Sequence, residues 1–242
     1  MKNSSYIGIS LIILIFGIIF IPRIIDKVRN KEVVEADRLN VRGVKAKNPE
    51  KLVYIEQYGS NKKVPDFEFI NQEGDTITNE DYLGKVYVIE FFFTTCPSIC
   101  PIMNQNLVLI QNEFERNRDF GIASITIDPA HDTPPVLKQY AENYGATHPN
   151  WHFLTGDRRE IYELANTGFG IYANEDDSVD GGFAHSGLFA LVDKEGYVRS
   201  RTDRHGNPII YYRGFIDPNS SITDGEESPQ IDILIEDINN LL

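Results

Sequence analysis

The sequence predicts an α/β protein, a mixed sheet flanked by helices, behind an N-terminal transmembrane helix. Three observations carry this. Apolar runs of strand length alternate with segments of helical periodicity from about residue 63 onward. Two short runs, residues 188–193 and 197–201, flank the turn Lys194-Glu195-Gly196 as a hairpin. Residues 6–21 are an unbroken stretch of apolar residues, Gly and one Ser, with Lys2 alone ahead of it.

That stretch is short for a full span but extends through Ile25 if Arg23 snorkels to the interface. No small-residue cleavage site follows, so residues 1–25 read as an uncleaved anchor rather than a removable signal. Arg23, Lys27, Arg29 and Lys31 follow the apolar stretch 6–21, so the positive-inside rule argues against an exported domain. Residues 26–61 are charged and mostly unpatterned, with a break at Asn48-Pro49, and read as a tether. Residues 62–242 then form one domain. The whole chain, 242 residues with 41% hydrophobic and 24% charged, is long enough to bury a core. Residues 1–47 carry nine Lys or Arg against four Asp or Glu, so of the net charge of −13 the remainder holds −18. A body this acidic argues against nucleic acid as a partner.

Within the domain, residues 63–70 alternate as a strand, and Gln72-Glu73-Gly74-Asp75 turns into residues 76–78 as a hairpin. Residues 86–93 are nearly all apolar, as a central strand covered on both faces requires. Met103, Leu107, Ile110 and Phe114 recur at helical spacing behind Pro101, which suits a first helical position. A strand at 120–127, a helix at 133–144, a short strand at 151–154 and a helix at 157–166 follow. A helix over 228–242 closes the chain, with Ser228 as its cap.

The only two cysteines stand in Thr94-Thr95-Cys96-Pro97-Ser98-Ile99-Cys100-Pro101, directly after the central strand. Each precedes a proline, which biases it toward turn or extended geometry, so the helix is expected to begin just beyond Cys100. Free N–H groups and the positive helix end there favour thiolate over thiol. Residues four apart in a helix have Cα atoms about 6.2 Å apart, near the upper end of the disulfide range. A disulfide and metal chelation both remain open. Two thiolates suit copper(I) or zinc, and a third ligand would complete a trigonal site. His185, in the small-residue segment Gly181-Gly182-Phe183-Ala184-His185-Ser186-Gly187, is the candidate if the strand after it neighbours the central one. On sequence alone a lone histidine is more often hydrogen-bonded or solvated than a ligand.

Taken together, these blocks resemble the Sco/SenC family. The ordered set runs Phe92-Phe93-Thr94-Thr95-Cys96-Pro97-Ser98-Ile99-Cys100-Pro101, Thr126-Ile127-Asp128-Pro129 with Asp132-Thr133-Pro134, Trp151 with Leu154-Thr155-Gly156, and His185-Ser186 before a strand ending at Asp193 and Gly196. The match covers roughly residues 60 to 200, and the order of blocks is more specific than any one of them. The resemblance implies a membrane-anchored domain of thioredoxin-like fold that binds copper through Cys96, Cys100 and His185. It also implies a metallochaperone rather than an enzyme, delivering copper to the binuclear copper site of cytochrome c oxidase. The implied partners are the copper-bearing oxidase subunit, an upstream copper donor and a thiol reductase. The implied location is a bacterial inner membrane, single-pass, with the domain on the periplasmic side. No transit peptide precedes the apolar run, which disfavours a mitochondrial precursor.

The chain departs from the pattern at Ser98, where the family usually has aspartate, and at His131, a spot often held by arginine. Residues 202–227 form a polar insertion that does not align. The competing reading is a thiol-disulfide reductase using the redox-active pair Cys96 and Cys100. Glu90 lies six residues before Cys96, where thioredoxins place a buried proton-taking carboxylate, although it could equally reach the sheet edge or pair with a cation. Against the reductase, the position of the cis-proline of such enzymes reads Phe183-Ala184-His185-Ser186 here. A peroxiredoxin-like enzyme and a zinc site are weaker alternatives. Asp128 is expected to brace the loop after its strand, His131 to be solvated or an auxiliary copper contact, and His148, His152 and His205 to have no site role.

Overall fold

A computed structural model describes Leu14, Phe16 and residues 52–176, 178, 181–203, 206–220 and 228–242. The chain divides into two units, residues 1–44 and 45–242. Of the first, only Leu14 and Phe16 are described, both helical, so the anchor and most of the tether lie outside the described residues. No helix among the described residues is long and apolar enough to cross a membrane.

The strands are β1 (Leu52–Tyr54), β2 (Glu56–Gln57), β3 (Ser60–Asn61), β4 (Glu68–Ile70), β5 (Thr76–Thr78), β6 (Val86–Phe92), β7 (Phe120–Thr126), β8 (Trp151–Leu154), β9 (Ala173–Glu175), β10 (Phe183–His185), β11 (Leu188–Val192), β12 (Val198–Arg201) and β13 (Tyr212–Arg213). The helices are α1 (Cys100–Glu113), α2 (Pro134–Tyr144), α3 (Arg158–Glu163) and α4 (Ile231–Leu241). The main sheet runs β1-β12-β11-β6-β7-β8, with β13 also paired to β11. Strands β6, β7 and β8 are parallel; β11, β12 and β1 add antiparallel. All seven residues of β6 and all seven of β7 are buried, which is why both read as near-continuous apolar runs.

Several boundaries differ from the sequence reading, each for a physical reason. The expected tether ends earlier, because β1 pairs with β12 and β2 with β3, so residues from Leu52 on belong to the folded body. Of the strand expected at 63–70 only β4 forms a ladder, while Lys63 makes a single bridge to Tyr197. The helix expected at 157–166 is α-helical only through Glu163, capped by the Asp157 carboxylate, and continues as a π-turn over Leu164–Phe169. At the C-terminus Gln230, not Ser228, holds the cap position; its side-chain oxygen is engaged by the Arg213 N–H instead.

The unaligned insertion is anchored by two devices. Strand β13 places Tyr212 in the core, and the buried Asn106 side chain of α1 donates to the carbonyls of Gly214 (2.8 Å) and Ile216 (2.9 Å). Arg201 of β12 meets the buried Asp237 of α4 through both carboxylate oxygens, and the Tyr212 hydroxyl donates to the same group. This tethers the terminal helix to the sheet.

Candidate metal centre

Strand β6 delivers the chain to the cysteine turn at the carboxyl end of the parallel strands. Helix α1 starts at Cys100, with Ile99 at the cap and Pro101 in the first turn, so Cys100 is itself the first helical residue. This corrects the expected start beyond it. Ile99 offers no side-chain acceptor, and the sulfur of Cys96 takes that place, receiving backbone N–H groups of Ser98 and Cys100.

The partner ring arrives from the other direction. Strand β11 lies antiparallel to β6, with Ala190 opposite Ile89 and Val192 opposite Tyr87, so its start lies beside the end of β6. The short β9/β10 hairpin just before it carries His185. Gly187 makes the connection close-fitting: it has φ +62°, and a Cβ there would sit 2.9 Å from Phe215 and 3.0 Å from Ile99. The ring of Phe93 packs edge-on to His185 and beside Phe183, holding the hairpin against the cysteine turn.

The result is convergence of two sulfurs and one imidazole nitrogen. His185 Nε2 lies 3.2 Å from Cys100 Sγ and 3.9 Å from Cys96 Sγ, and the three ligand atoms lie within 4.8 Å of one another. Both cysteines are free thiols, Cys96 8% exposed and Cys100 fully enclosed. Cys96 is held well below the ordinary thiol range, first by the Cys100 thiol donating to it and then by His185 and the turn N–H groups, against the opposing effect of burial. Cys100 is driven upward, because its proton is held by Cys96 and because it is buried. One thiolate and one thiol therefore share a site with an imidazole whose Nε2 faces them. That donor set fits a soft ion such as copper(I), with zinc as a poorer match for three ligands alone. The His185 Nδ1 is buried with no protein partner.

Around this centre, Ser98 Oγ stands 3.7 Å from Cys96 Sγ. Asp128 braces the loop after β7 as expected, its carbonyl accepting the His131 N–H (3.2 Å) and the Asp132 N–H (2.9 Å), while the cysteine turn is braced by Asp132. Its buried carboxylate accepts from the Thr94 N–H (3.0 Å) and from the hydroxyls of Thr94 and Thr126, which ties the loop after β7 to the residue two before Cys96. In the sequence Asp132 stands as one member of Asp132-Thr133-Pro134, and its position before Thr133, the cap of α2, is the local signal for it. His131 pairs with Asp132 (3.0 Å), its side chain 53% exposed, and belongs with Asp128 and Asp132 rather than with the sulfurs. The Asp132 carboxylate raises its pKa. His148 is a buried structural residue, its Nε2 on the Asn117 carbonyl and its Nδ1 on the Asn150 N–H. His152 packs against the Tyr82 ring, and His205 lies outside the described residues. Glu90 neither reaches an edge nor pairs with a cation among the described residues. It is fully buried, its Oε1 accepting from Ser124 Oγ at 2.7 Å, and burial pushes its carboxyl up to about 8 despite that bond.

Comparison with known proteins accords with this architecture. The family model described as SCO1/SenC matches residues 55–214. The "SCO1 protein homolog" of Bacillus subtilis is 36% identical over 140 residues, covering 57% of this chain and 72% of that one. Among solved structures, BsSco, described as a member of the Sco family of cytochrome c oxidase assembly proteins with a disulfide switch, is 31% identical with a TM-score of 0.59, covering 75% of this chain and 94% of its own. Yeast Sco1 with copper bound is 26% identical with a TM-score of 0.53, covering 75% and 91%. The likeness to these Sco structures supports a mixed α/β, thioredoxin-like fold for this chain. With a family model spanning most of the folded body and the Cys-Cys-His convergence it leads to, this chain belongs to the SCO1/SenC family.

Proposed function

We propose that the domain binds one copper ion between Cys96, Cys100 and His185 and delivers it to the copper-bearing subunit of cytochrome c oxidase during assembly of the enzyme. The single observation that carries this reading is the approach of His185 Nε2 to both sulfurs across 85 and 89 residues of chain. Two thiolates and a neutral imidazole satisfy copper(I), and three ligands leave a side from which an acceptor's ligand can attack. Loading displaces the Cys100 proton, because the ligand is the thiolate. Metal binding therefore requires the reduced pair, and a Cys96 to Cys100 disulfide closes the site. An upstream copper donor and a thiol reductase are the partners this cycle needs. The placement that fits it is an N-terminal anchor in a bacterial inner membrane with the domain on the extracytoplasmic side.

The test is copper(I) titration of the reduced full chain against a chromophoric chelator, with His185→Ala and Cys96→Ser alongside. One copper per chain is expected, with at least tenfold weaker binding in the histidine variant and none of the tight binding left in the cysteine variant. A His185→Ala protein that holds copper as tightly as the parent would overturn the three-ligand site. Delivery is tested separately, by transfer of the bound copper to the reduced copper-bearing oxidase subunit.

A further inference from the structure

His185 stands on a ladder too short to hold itself. Strands β9 and β10 pair over three residues, with His185 opposite Ala173, and a two-stranded hairpin alone is marginal in water. The Asp176 N–H bonds the Gly182 carbonyl (2.9 Å), and hydrogen-bonded pairs alternate along an antiparallel ladder, so Ala173 and His185 form a non-hydrogen-bonded pair. At such a pair the N–H and carbonyl of each residue point away from the partner strand, and the two residues approach most closely. Ala173 is buried, so its outward groups need partners from the body of the domain.

The π-turn Leu164–Phe169 supplies them. Gly170, at φ +71°, turns the chain back, the Ile171 N–H bonds the Ala165 carbonyl (2.9 Å), and Ala173 comes alongside Asn166. The Asn166 side-chain oxygen accepts from the Ala173 N–H (3.1 Å), and its nitrogen donates to the Ala173 carbonyl (2.8 Å) and to the Tyr162 carbonyl of α3 (3.0 Å). One side chain thus does for Ala173 what a neighbouring strand would do. The orientation of the amide is determined, because a flipped one would turn its oxygen toward two carbonyls. One residue earlier, where the next ladder bond is due, the Tyr172 N–H goes to the Ser186 hydroxyl instead (3.1 Å). Asn166 is itself exposed, so shortening it opens no cavity in the core.

We propose that Asn166 is the residue that positions His185 at the sulfurs. It binds both main-chain groups of Ala173, Ala173 fixes the strand opposite it, and that strand carries the imidazole to Cys96 and Cys100 before any metal arrives. The inference rests on the reading of Cys96, Cys100 and His185 as the copper ligands, and it adds a residue whose hydrogen bonds go to main-chain groups and not to the sulfurs or the ring. An ion that needs all three ligands binds in proportion to the fraction of chains with the ring in place. Loss of the two Ala173 bonds lowers that fraction and leaves the cysteine turn as it is.

The experiment has a metal-free arm and a copper arm, both on the reduced full chain. Without metal, amide hydrogen exchange read by mass spectrometry over residues 173–175 and 183–185 should be roughly tenfold faster in Asn166→Ala than in the parent. Asn166→Asp keeps the acceptor for the Ala173 N–H and should fall between the two. Asn150→Ala is the matched control: it removes an asparagine that also donates to two main-chain carbonyls, those of Arg118 (2.9 Å) and Phe120 (2.8 Å), at the amino end of β7, and should leave these rates at the parent's. In copper(I) titration against a chromophoric chelator, Asn166→Ala should bind about fivefold more weakly than the parent, but under about twofold more weakly when His185→Ala is already present. Asn150→Ala should bind as the parent does. Parent-like exchange or parent-like copper affinity in Asn166→Ala, or the same loss of affinity with and without His185, overturns the proposal. A His185→Ala chain that binds copper as tightly as the parent refutes the three-ligand site instead, and the metal-free exchange rates then decide whether Asn166 holds the hairpin.

Discussion

Replacing Glu90 with glutamine should make the stability of this domain respond differently to pH. The folded carboxyl titrates at about 8 against 4.5 in the unfolded chain, because it is buried beside a single hydroxyl donor. Between those values the folded state holds a proton that the unfolded state has lost. Stability from this group is therefore fully present below pH 4.5 and is lost as pH rises toward 8. At about 1.4 kcal/mol per unit the full effect is about 5 kcal/mol, of which roughly 3 falls between pH 5.5 and 8. Cys96 contributes with the opposite sign, since its folded pKa is depressed and its contribution grows as pH rises toward the ordinary thiol value. The comparison must therefore be a difference. Urea unfolding of the reduced, metal-free full chain at pH 5.5 and pH 8, parent against Glu90→Gln, isolates the one carboxyl, because other groups titrate alike in both. The variant should gain on the parent by about 3 kcal/mol between the two conditions. A difference that stays constant would refute the reasoning and place Glu90 in contact with solvent or a cation.

Iodoacetamide at pH 6 should label Cys96 well before Cys100, as read by peptide mass mapping, since Cys96 is the supported thiolate and Cys100 the enclosed thiol; equal labelling would contradict the assignment. Gly214→Ala should cost about 1–3 kcal/mol in urea unfolding, because the new Cβ would fall 2.5 Å from Cζ of the buried Phe189 ring on β11. Asp132→Ala should cost roughly 2–4 kcal/mol by leaving the Thr94 N–H and the two threonine hydroxyls without their acceptor. It should also weaken copper(I) binding, since it loosens the turn that aims Cys96; unchanged affinity would show that the turn is held without it.

Much of the site could be read from local sequence. The nearly all-apolar run before the cysteines gave the central strand, and the prolines after them marked the turn into α1. What escaped was whatever depends on remote partners. Leu52–Tyr54 looks like part of a charged tether because an edge strand with one exposed side carries little periodic signal; only pairing with β12 makes it a strand. Asp132 looks like an ordinary loop acid until β6 and β7 bring Thr94 and Thr126 to its carboxylate. Asn106 anchors the chain at Gly214 and Ile216 from the middle of a helix, a position that in sequence suggests only a helix face; the segment read from sequence as an insertion over 202–227 is matched by the family model as far as residue 214.

The sequence by itself determined the donor chemistry: two thiols four residues apart behind a buried strand, and a histidine in a glycine-rich approach to another. Those are properties of residue type and spacing, and they survive any arrangement of the sheet. Tertiary structure alone decided that the ring meets the sulfurs, that one sulfur is a supported thiolate and the other an enclosed thiol, and that Glu90 is buried beside a single hydroxyl donor. Each of these depends on antiparallel pairing of β11 with β6 and on burial beneath α1 and α2, which set distances and dielectric between residues far apart in the chain.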